Sequence, residues 1–314
     1  MNTIYKGYRI SHLLLFFAML LTGIGACKKS STGGSGALEQ SLALDKTAAD
    51  MQVNETIKIV PSFDGGKVII PNGKYSWTSD DPSIASVYMN KDFSVTVTGR
   101  QLGTTRLRLS SKDGGDLEQV CNISVVPSPV ILINFGDKTT PAEWNNVTNA
   151  MRIDGSLPGL HTTTGRSTGI SLKVVERFNL WGAAGATNTS TDLNMPNEVS
   201  SDYFYGNTTD FLGVTTPRSV IKFSGLDKKK KYRCRFYASR MGAGEIRDAK
   251  YTITGGNEAF TTLNASNNVN NIACADPVSP DANGNILLTI TAGPDNNSPN
   301  GFYYLGAMRM VEEF

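Results

Sequence analysis

The sequence predicts an all-β chain built as two sandwiches in series, and three observations carry that prediction. Short segments in which apolar and polar residues alternate recur along most of the 314 residues, which is the period of a half-buried strand. Gly, Thr, Ser and Asn are plentiful between them, and long runs of Ala, Leu, Glu and Lys are few, so turns outnumber helices. Finally, Pro127-Ser128-Pro129 interrupts the series once with a stiff break, dividing it into residues 38–127 and 129–314.

The amino terminus precedes that architecture. Lys6 and Arg9 supply a positive start, residues 13–21 are apolar, and Ile24-Gly25-Ala26-Cys27 follows. This is the layout of a secretory signal, and the apolar run is shorter than the roughly 20 residues a spanning helix needs. The four-residue stretch resembles the lipobox of bacterial lipoproteins. The resemblance implies removal of residues 1–26 and lipid attachment at Cys27, hence a protein anchored in the cell envelope at the outer membrane, with its surface or periplasmic side left open. Several acyl chains make such anchoring durable where one alone does not. Residues 27–37, rich in Gly and Ser, read as a flexible tether.

Charge and cysteine usage narrow the partners. The chain has 30 basic and 28 acidic residues, and loss of Lys6 and Arg9 leaves an even balance. No field exists to steer nucleic acid. Lys228-Lys229-Lys230-Lys231 is an isolated run that fits a solvated turn. Four cysteines are present, and committing Cys27 to lipid leaves an odd number, so at least one thiol stays unpaired within the chain. Cys121 alternates with Ile123 and Val125 and fits a core thiol. Cys234 and Cys274 could pair in an oxidising compartment, or Cys234 could face a core with Tyr232 and Phe236; the spacing leaves both open.

In the first segment, residues 55–59, 94–98 and 105–109 are strands. Between them Trp77 stands in a strand with polar neighbours, and Asp80-Asp81-Pro82-Ser83 turns the chain. Trp77 is expected in the core. The stretch 75–87, with Val97-Thr98-Gly99 and Leu102-Gly103-Thr104-Thr105, resembles the group 2 bacterial immunoglobulin-like domain over about 85 residues. That resemblance implies an Ig-like sandwich serving as a spacer or stalk.

In the second segment, strands are expected at 130–135, 170–174, 219–223, 232–237, 250–253, 286–290 and 302–305, with long polar loops, the pattern of a jelly roll. Asn134-Phe135-Gly136-Asp137, Trp144-Asn145-Asn146, 223–227, 236–240, 263–268 and 304–307 together resemble the galactose-binding-like or malectin-like modules of secreted carbohydrate-active proteins. The resemblance implies glycan binding through loops, without chemistry. The residue types agree with it, because sugars need an aromatic plane beside hydrogen-bonding groups. Candidate ligand residues are Trp144, Trp181 in a loop-like stretch, Tyr205 within an aromatic cluster, Arg240 at a strand end, and Asn264 and Asn267 in one loop. Core or turn-shaping roles are the alternative for each.

Gly165-Arg166-Ser167-Thr168-Gly169 matches a nucleophile pattern, and His161 lies four residues before Ser167. A nucleophile elbow requires a helix after the serine and a histidine later in the chain, and neither is expected here, so the chain is read as a non-enzyme. A carboxylate-pair glycosidase would need spatial pairing that no sequence pattern marks. No cofactor is expected. Asp281-Ala282-Asn283-Gly284-Asn285 leaves room for a structural calcium but lacks the EF-hand spacing. The sequence thus predicts a polysaccharide or oligosaccharide receptor on a membrane anchor. Its alternative is a structural or adhesive protein with envelope protein partners, and a weak hydrolase comes third.

Overall fold

The computed structural model describes residues 41–63, 75–112, 118–148 and 155–314; the signal-like segment, Cys27 and the tether lie outside them. Among the described residues no helix is long and apolar enough to cross a membrane. Residues 41–314 form one compact unit with separate apolar cores before and after residue 127.

The first sandwich consists of β1 (Leu42–Leu44), β2 (Ala48–Gln52), β3 (Thr56–Ile59), β4 (Pro61–Phe63), β5 (Tyr75–Ser79), β6 (Ala85–Met89), β7 (Val95–Gly99), β8 (Gly103–Ser111) and β9 (Glu118–Val126). One sheet has the order β2-β9-β8-β5 and another β3-β7-β6, with β1 and β4 paired beside them. Period-two alternation decides which side chains meet. In β9, Cys121, Ile123 and Val125 point inward, and in β7 Val95 and Val97 do so. They close on Met51, Ile59, Leu107 and Trp77, and the Trp77 indole N–H donates to the Phe93 carbonyl at 3.2 Å.

The second sandwich is larger. Its strands are β10 (Val130–Phe135), β11 (Trp144–Val147), β12 (Ser156–Leu157), β13 (Ser171–Glu176), β14 (Leu180–Gly182), β15 (Tyr203–Phe211), β16 (Val214–Thr216), β17 (Arg218–Ser224), β18 (Lys231–Tyr237), β19 (Asp248–Thr254), β20 (Glu258–Asn264), β21 (Ala273–Cys274), β22 (Asn285–Ala292), β23 (Tyr303–Leu305) and β24 (Ala307–Glu313). The one described helix, α1 (Asn197–Ser200), is a single turn. A five-stranded sheet, β11-β10-β24-β18-β21, packs on a six-stranded one, β12-β13-β17-β22-β19-β20. Ile131, Ile133 and Met308 from the first meet Leu172, Ile221 and Leu288 from the second. The rings of Phe236 and Tyr251 stack across the junction, 4.5 Å between centroids. A small sheet of β14, β15, β16 and β23 closes one end.

Three sequence expectations meet their geometry here. Cys234 and Cys274 are free. Arg235, not Cys234, stands opposite Cys274 across the β18–β21 ladder, so Cys234 faces the core and Cys274 the solvent. Burial pushes the Cys234 thiol up to about 12. The lysine run forms the β17–β18 turn, where Lys230 reaches Glu312 at 2.5 Å. Asp281 spends Oδ1 on the N–H groups of Asn283 and Asn285, both at 2.8 Å, which makes its segment a self-closed turn. Among the described residues no three His, Cys, Asp or Glu side chains gather as a metal-binding group.

Candidate ligand-binding site

The small end sheet places the main cluster of chemistry-bearing side chains. In its ladders Tyr205 of β15 stands opposite Leu180 of β14 and Tyr304 of β23, while Trp181 stands opposite Phe204. Directly paired residues point to the same side and neighbours along a strand to opposite sides. Tyr205 and Tyr304 therefore share one face, and Trp181 belongs to the other. Tyr203 also lies on the Tyr205 face, where Gly182 opposes it. A Cβ at Gly182 would sit 2.5 Å from the Tyr203 ring, so only glycine lets the ring lie flat over β14.

Around Tyr205 the rings of Phe302, Tyr304, Phe211 and Tyr203 lie at 5.8, 6.2, 6.3 and 6.4 Å, centroid to centroid. Arg247 covers them. Its guanidinium lies 5.1 Å above the Phe302 ring and 5.8 Å from that of Tyr304, donates to the Tyr304 hydroxyl, and gives Nε to Glu245 at 2.7 Å. Such cation–π contacts strengthen as water is excluded. Tyr251 ties this layer to the core by donating its hydroxyl to the Tyr304 carbonyl at 2.7 Å.

Burial pushes the Tyr304 phenol up to about 12, against the pull of Arg247 and Arg240. It raises Tyr203 and Tyr205 as well. The three phenols are therefore neutral groups near pH 7 that both donate and accept. For Arg247, burial works against the charge, but Tyr304 and Glu245 outweigh it and its pKa rises. Beyond the rings, Leu180 on the same face and Met241 and Ile246 on loops reach solvent (39, 37 and 40 % exposed), while Trp181, 37 % exposed, does so on the opposite face. The result is an aromatic surface of half-buried Tyr205, Phe211 and Phe302 backed by buried Tyr203 and Tyr304, with a fixed cation and an apolar rim, suited to a ligand that offers a flat apolar face and hydroxyls.

The residues singled out by sequence divide accordingly. Tyr205 lies at the centre. Arg240 is close enough to Tyr203 and Tyr304 to affect their ionisation, and its carbonyl accepts from the Asn267 N–H at 3.0 Å. Asn267 gives Nδ2 to the Ala243 carbonyl at 2.7 Å and accepts from the Gly242 N–H at 2.8 Å. Asn264 accepts from the N–H groups of Arg247 and Ser266 at 3.1 and 3.0 Å. Asn267 thus commits both side-chain atoms to the loop that carries Arg240, while Asn264 commits its side-chain oxygen to the backbone ahead of β19. Trp181 is in strand β14, not a loop. Trp144 differs most from expectation: it is only 4 % exposed, because Leu193, Met195 and Val199 of the preceding loop and α1 pack over it with Tyr237 and Ala307. Its ring is no open stacking plane.

Sequence reasoning missed Arg247, Glu245 and Phe302. The signal that could have found the site was glycine facing tyrosine, at Gly182 opposite Tyr203 and Gly206 opposite Tyr303. Ser167 is followed by strand β13, and the His161 ring contacts the Ala142 carbonyl at 2.9 Å. The strand–turn–helix context of a nucleophile elbow is not formed there.

No protein-family model and no curated protein matches the chain. Among solved structures it is similar to domains 4 and 5 of the S-layer protein SbsC, with 23 % identity, TM-score 0.23, and coverage of 27 % of this chain and 51 % of that one. It is also similar to a structure of CBM51-2 in complex with GlcNAc and INT domains from Clostridium perfringens ZmpB (10 % identity, TM-score 0.28, covering 87 % and 48 %). A third is the ANXUR1 extracellular domain from Arabidopsis thaliana (10 %, 0.30, covering 88 % and 82 %). The chain spans about half the length of the first two.

Proposed function

We propose that residues 129–314 bind a polysaccharide or oligosaccharide without catalysing a reaction, that residues 38–127 act as a spacer of the Ig-like kind, and that Cys27 anchors the chain by lipid in the cell envelope. The observation that supports binding is the Tyr205 surface: three neutral phenols and Phe302 under the Arg247 guanidinium, with Arg240 beside them. Stacking on the half-buried Tyr205 or Phe302 supplies affinity, while Arg240 and the Tyr205 phenol read hydroxyls; Tyr203 and Tyr304 are buried and back the surface.

A polysaccharide panel probed with the mature chain tests this reading. Tyr205→Ala and Arg240→Ala are expected to weaken retention about tenfold or more, equivalent to about 1.4 kcal/mol. Absence of binding across the panel, or binding unchanged in both variants, defeats it. The exposed Leu180, Trp181, Met241 and Ile246 favour a second reading, a protein partner at the same end. Retention of an envelope protein that Trp181→Ala abolishes, with no glycan response, would select that alternative. Hydrolysis silenced by Ser167→Ala would instead select the third.

A further inference from the structure

A second site lies away from the Tyr205 surface, on the outer face of the five-stranded sheet. The register β11-β10-β24-β18-β21 sets Trp144, Leu132, Arg309, Arg235 and Cys274 in one row on that face. Over it runs the segment Asp192, Leu193, Asn194, leaving a groove of about 290 Å³ that these three line with Val130, Leu132, Glu143, Trp144 and Arg309. The volume is near the lower end for small-molecule sites.

The charges in this groove do not close on themselves. Arg309 and Arg235 stand directly opposite on adjacent strands, an unfavourable like-charge pair. Asp192 answers Arg235. Arg309 has no ion pair among the described residues, and its Nε is buried without a hydrogen-bond partner. A buried donor left unpaired costs on the order of 1–3 kcal/mol, more when charged, and native folds rarely leave one so. A planar acceptor matching the guanidinium fork would satisfy it.

The surroundings specify what carries that acceptor. Val130 and Leu132, both half-buried, make an apolar floor, with Trp144 and Leu193 packed against each other beside it, while Glu143, Asp192 and Asn194 supply acceptors and an amide at the rim. Two carboxylates at the rim disfavour a dianion such as a phosphate ester, but accept hydroxyl hydrogens. A ring with one apolar face, several hydroxyls and a single carboxylate fits all of these. We propose that the groove beside Trp144 binds a uronic-acid sugar, with its carboxylate on Arg309 and its ring over the half-buried Val130–Leu132 floor. This site does not depend on the Tyr205 surface.

The test titrates the mature chain with methyl glucuronide, methyl galacturonide, methyl glucoside and acetate, following binding by calorimetry and by the NMR signal of the Arg309 Nε–H. At least one uronide is expected to bind about tenfold or more tighter than the glucoside and than acetate, and to shift the Arg309 signal. Arg309→Gln should bring that uronide to the glucoside level. The Arg309 signal reports this groove and not the Tyr205 surface, so failure at one site is distinguishable from failure at the other. Uronide binding no tighter than glucoside, or uronide affinity unchanged in Arg309→Gln, overturns the proposal. Acetate binding as tightly as the uronides overturns the sugar assignment. If Arg309→Gln does not fold, the unmodified chain decides: an Arg309 Nε–H signal that does not move on uronide addition overturns the site.

Discussion

The two sandwiches use the same strand grammar and dispose of their polar groups differently. In the first, Asp80 takes both Arg106 and Arg108, Glu118 takes the other side of Arg108, and Lys58 pairs with Asp92. In the second, Arg309 Nε, Asp202 Oδ1 and Asn134 Oδ1 are buried without partners, and an aromatic layer is left half open at one end. Gln52 Oε1 is the one such orphan among the described residues of the first sandwich. Buried orphans are costly, so their concentration in one sandwich marks where a ligand, water or extra proton completes the structure. Among the described residues, the first sandwich settles its charges in surface ion pairs, while the second leaves several polar atoms to be satisfied by something else.

The largest expected effect tests the first sandwich. Trp77 is 8 % exposed and fills the first core, so Trp77→Ala should cost about 3–5 kcal/mol by loss of buried area and creation of a cavity. On the proposed division, in which residues 38–127 contribute no ligand contact, glycan retention by the folded fraction should stay within about twofold. Thermal melts and panel binding on the same preparation check both. Lost retention in molecules that remain folded would break the division between spacer and receptor.

A smaller effect tests how the open half holds its aromatic surface. A Cβ at Gly206 would sit 2.1 Å from the Tyr303 ring and hydroxyl, and Tyr303 is fixed by its bonds to the Thr216 carbonyl and the Ser219 hydroxyl at 2.7 and 2.9 Å. Gly206→Ala must move β23, at a cost of about 1–3 kcal/mol for overpacking. Tyr304 is next in that strand, so binding at the Tyr205 surface should fall together with stability. Stability lost with retention unchanged would show that the ligand does not rest on β23.

How much of this was legible follows from the range of each signal. Alternation is local, and it correctly turned Cys121, Ile123 and Val125 inward. The all-β class was therefore readable. The three-residue strand Leu180–Gly182 was too short for any period and read as a loop. Trp144 was taken for an exposed plane because its cover arrives about fifty residues later, at Leu193, Met195 and Val199. Asn267 looks like a ligand amide until its bonds to the Gly242 N–H and the Ala243 carbonyl are seen. Arg247 carries no local mark at all; its place over Phe302 depends on two distant loops meeting, held by Asn297, whose side-chain oxygen accepts the Ile246 N–H at 2.7 Å.

The smallest expected effect concerns one orphan of the open half. Asp202 is 1 % exposed. Its Oδ2 accepts from the Lys138 N–H at 2.8 Å and, at 3.4 Å, from Asn134, while its Oδ1 has no partner. Burial raises its pKa above the usual carboxylate range. The folded chain therefore holds this proton more tightly than the unfolded chain. Its contribution favours folding at acid pH and is lost as pH rises through the folded pKa. Asp202→Asn removes the charge and keeps an acceptor for the Lys138 N–H. The variant should be more stable than the parent at pH 7 by about 1 kcal/mol, with the gap narrowing toward pH 4. Urea unfolding at both pH values reads it. A parent more stable at pH 7 would mean that its carboxylate is ionised and held by a bound cation or ordered water, and that this part of the second sandwich is already complete.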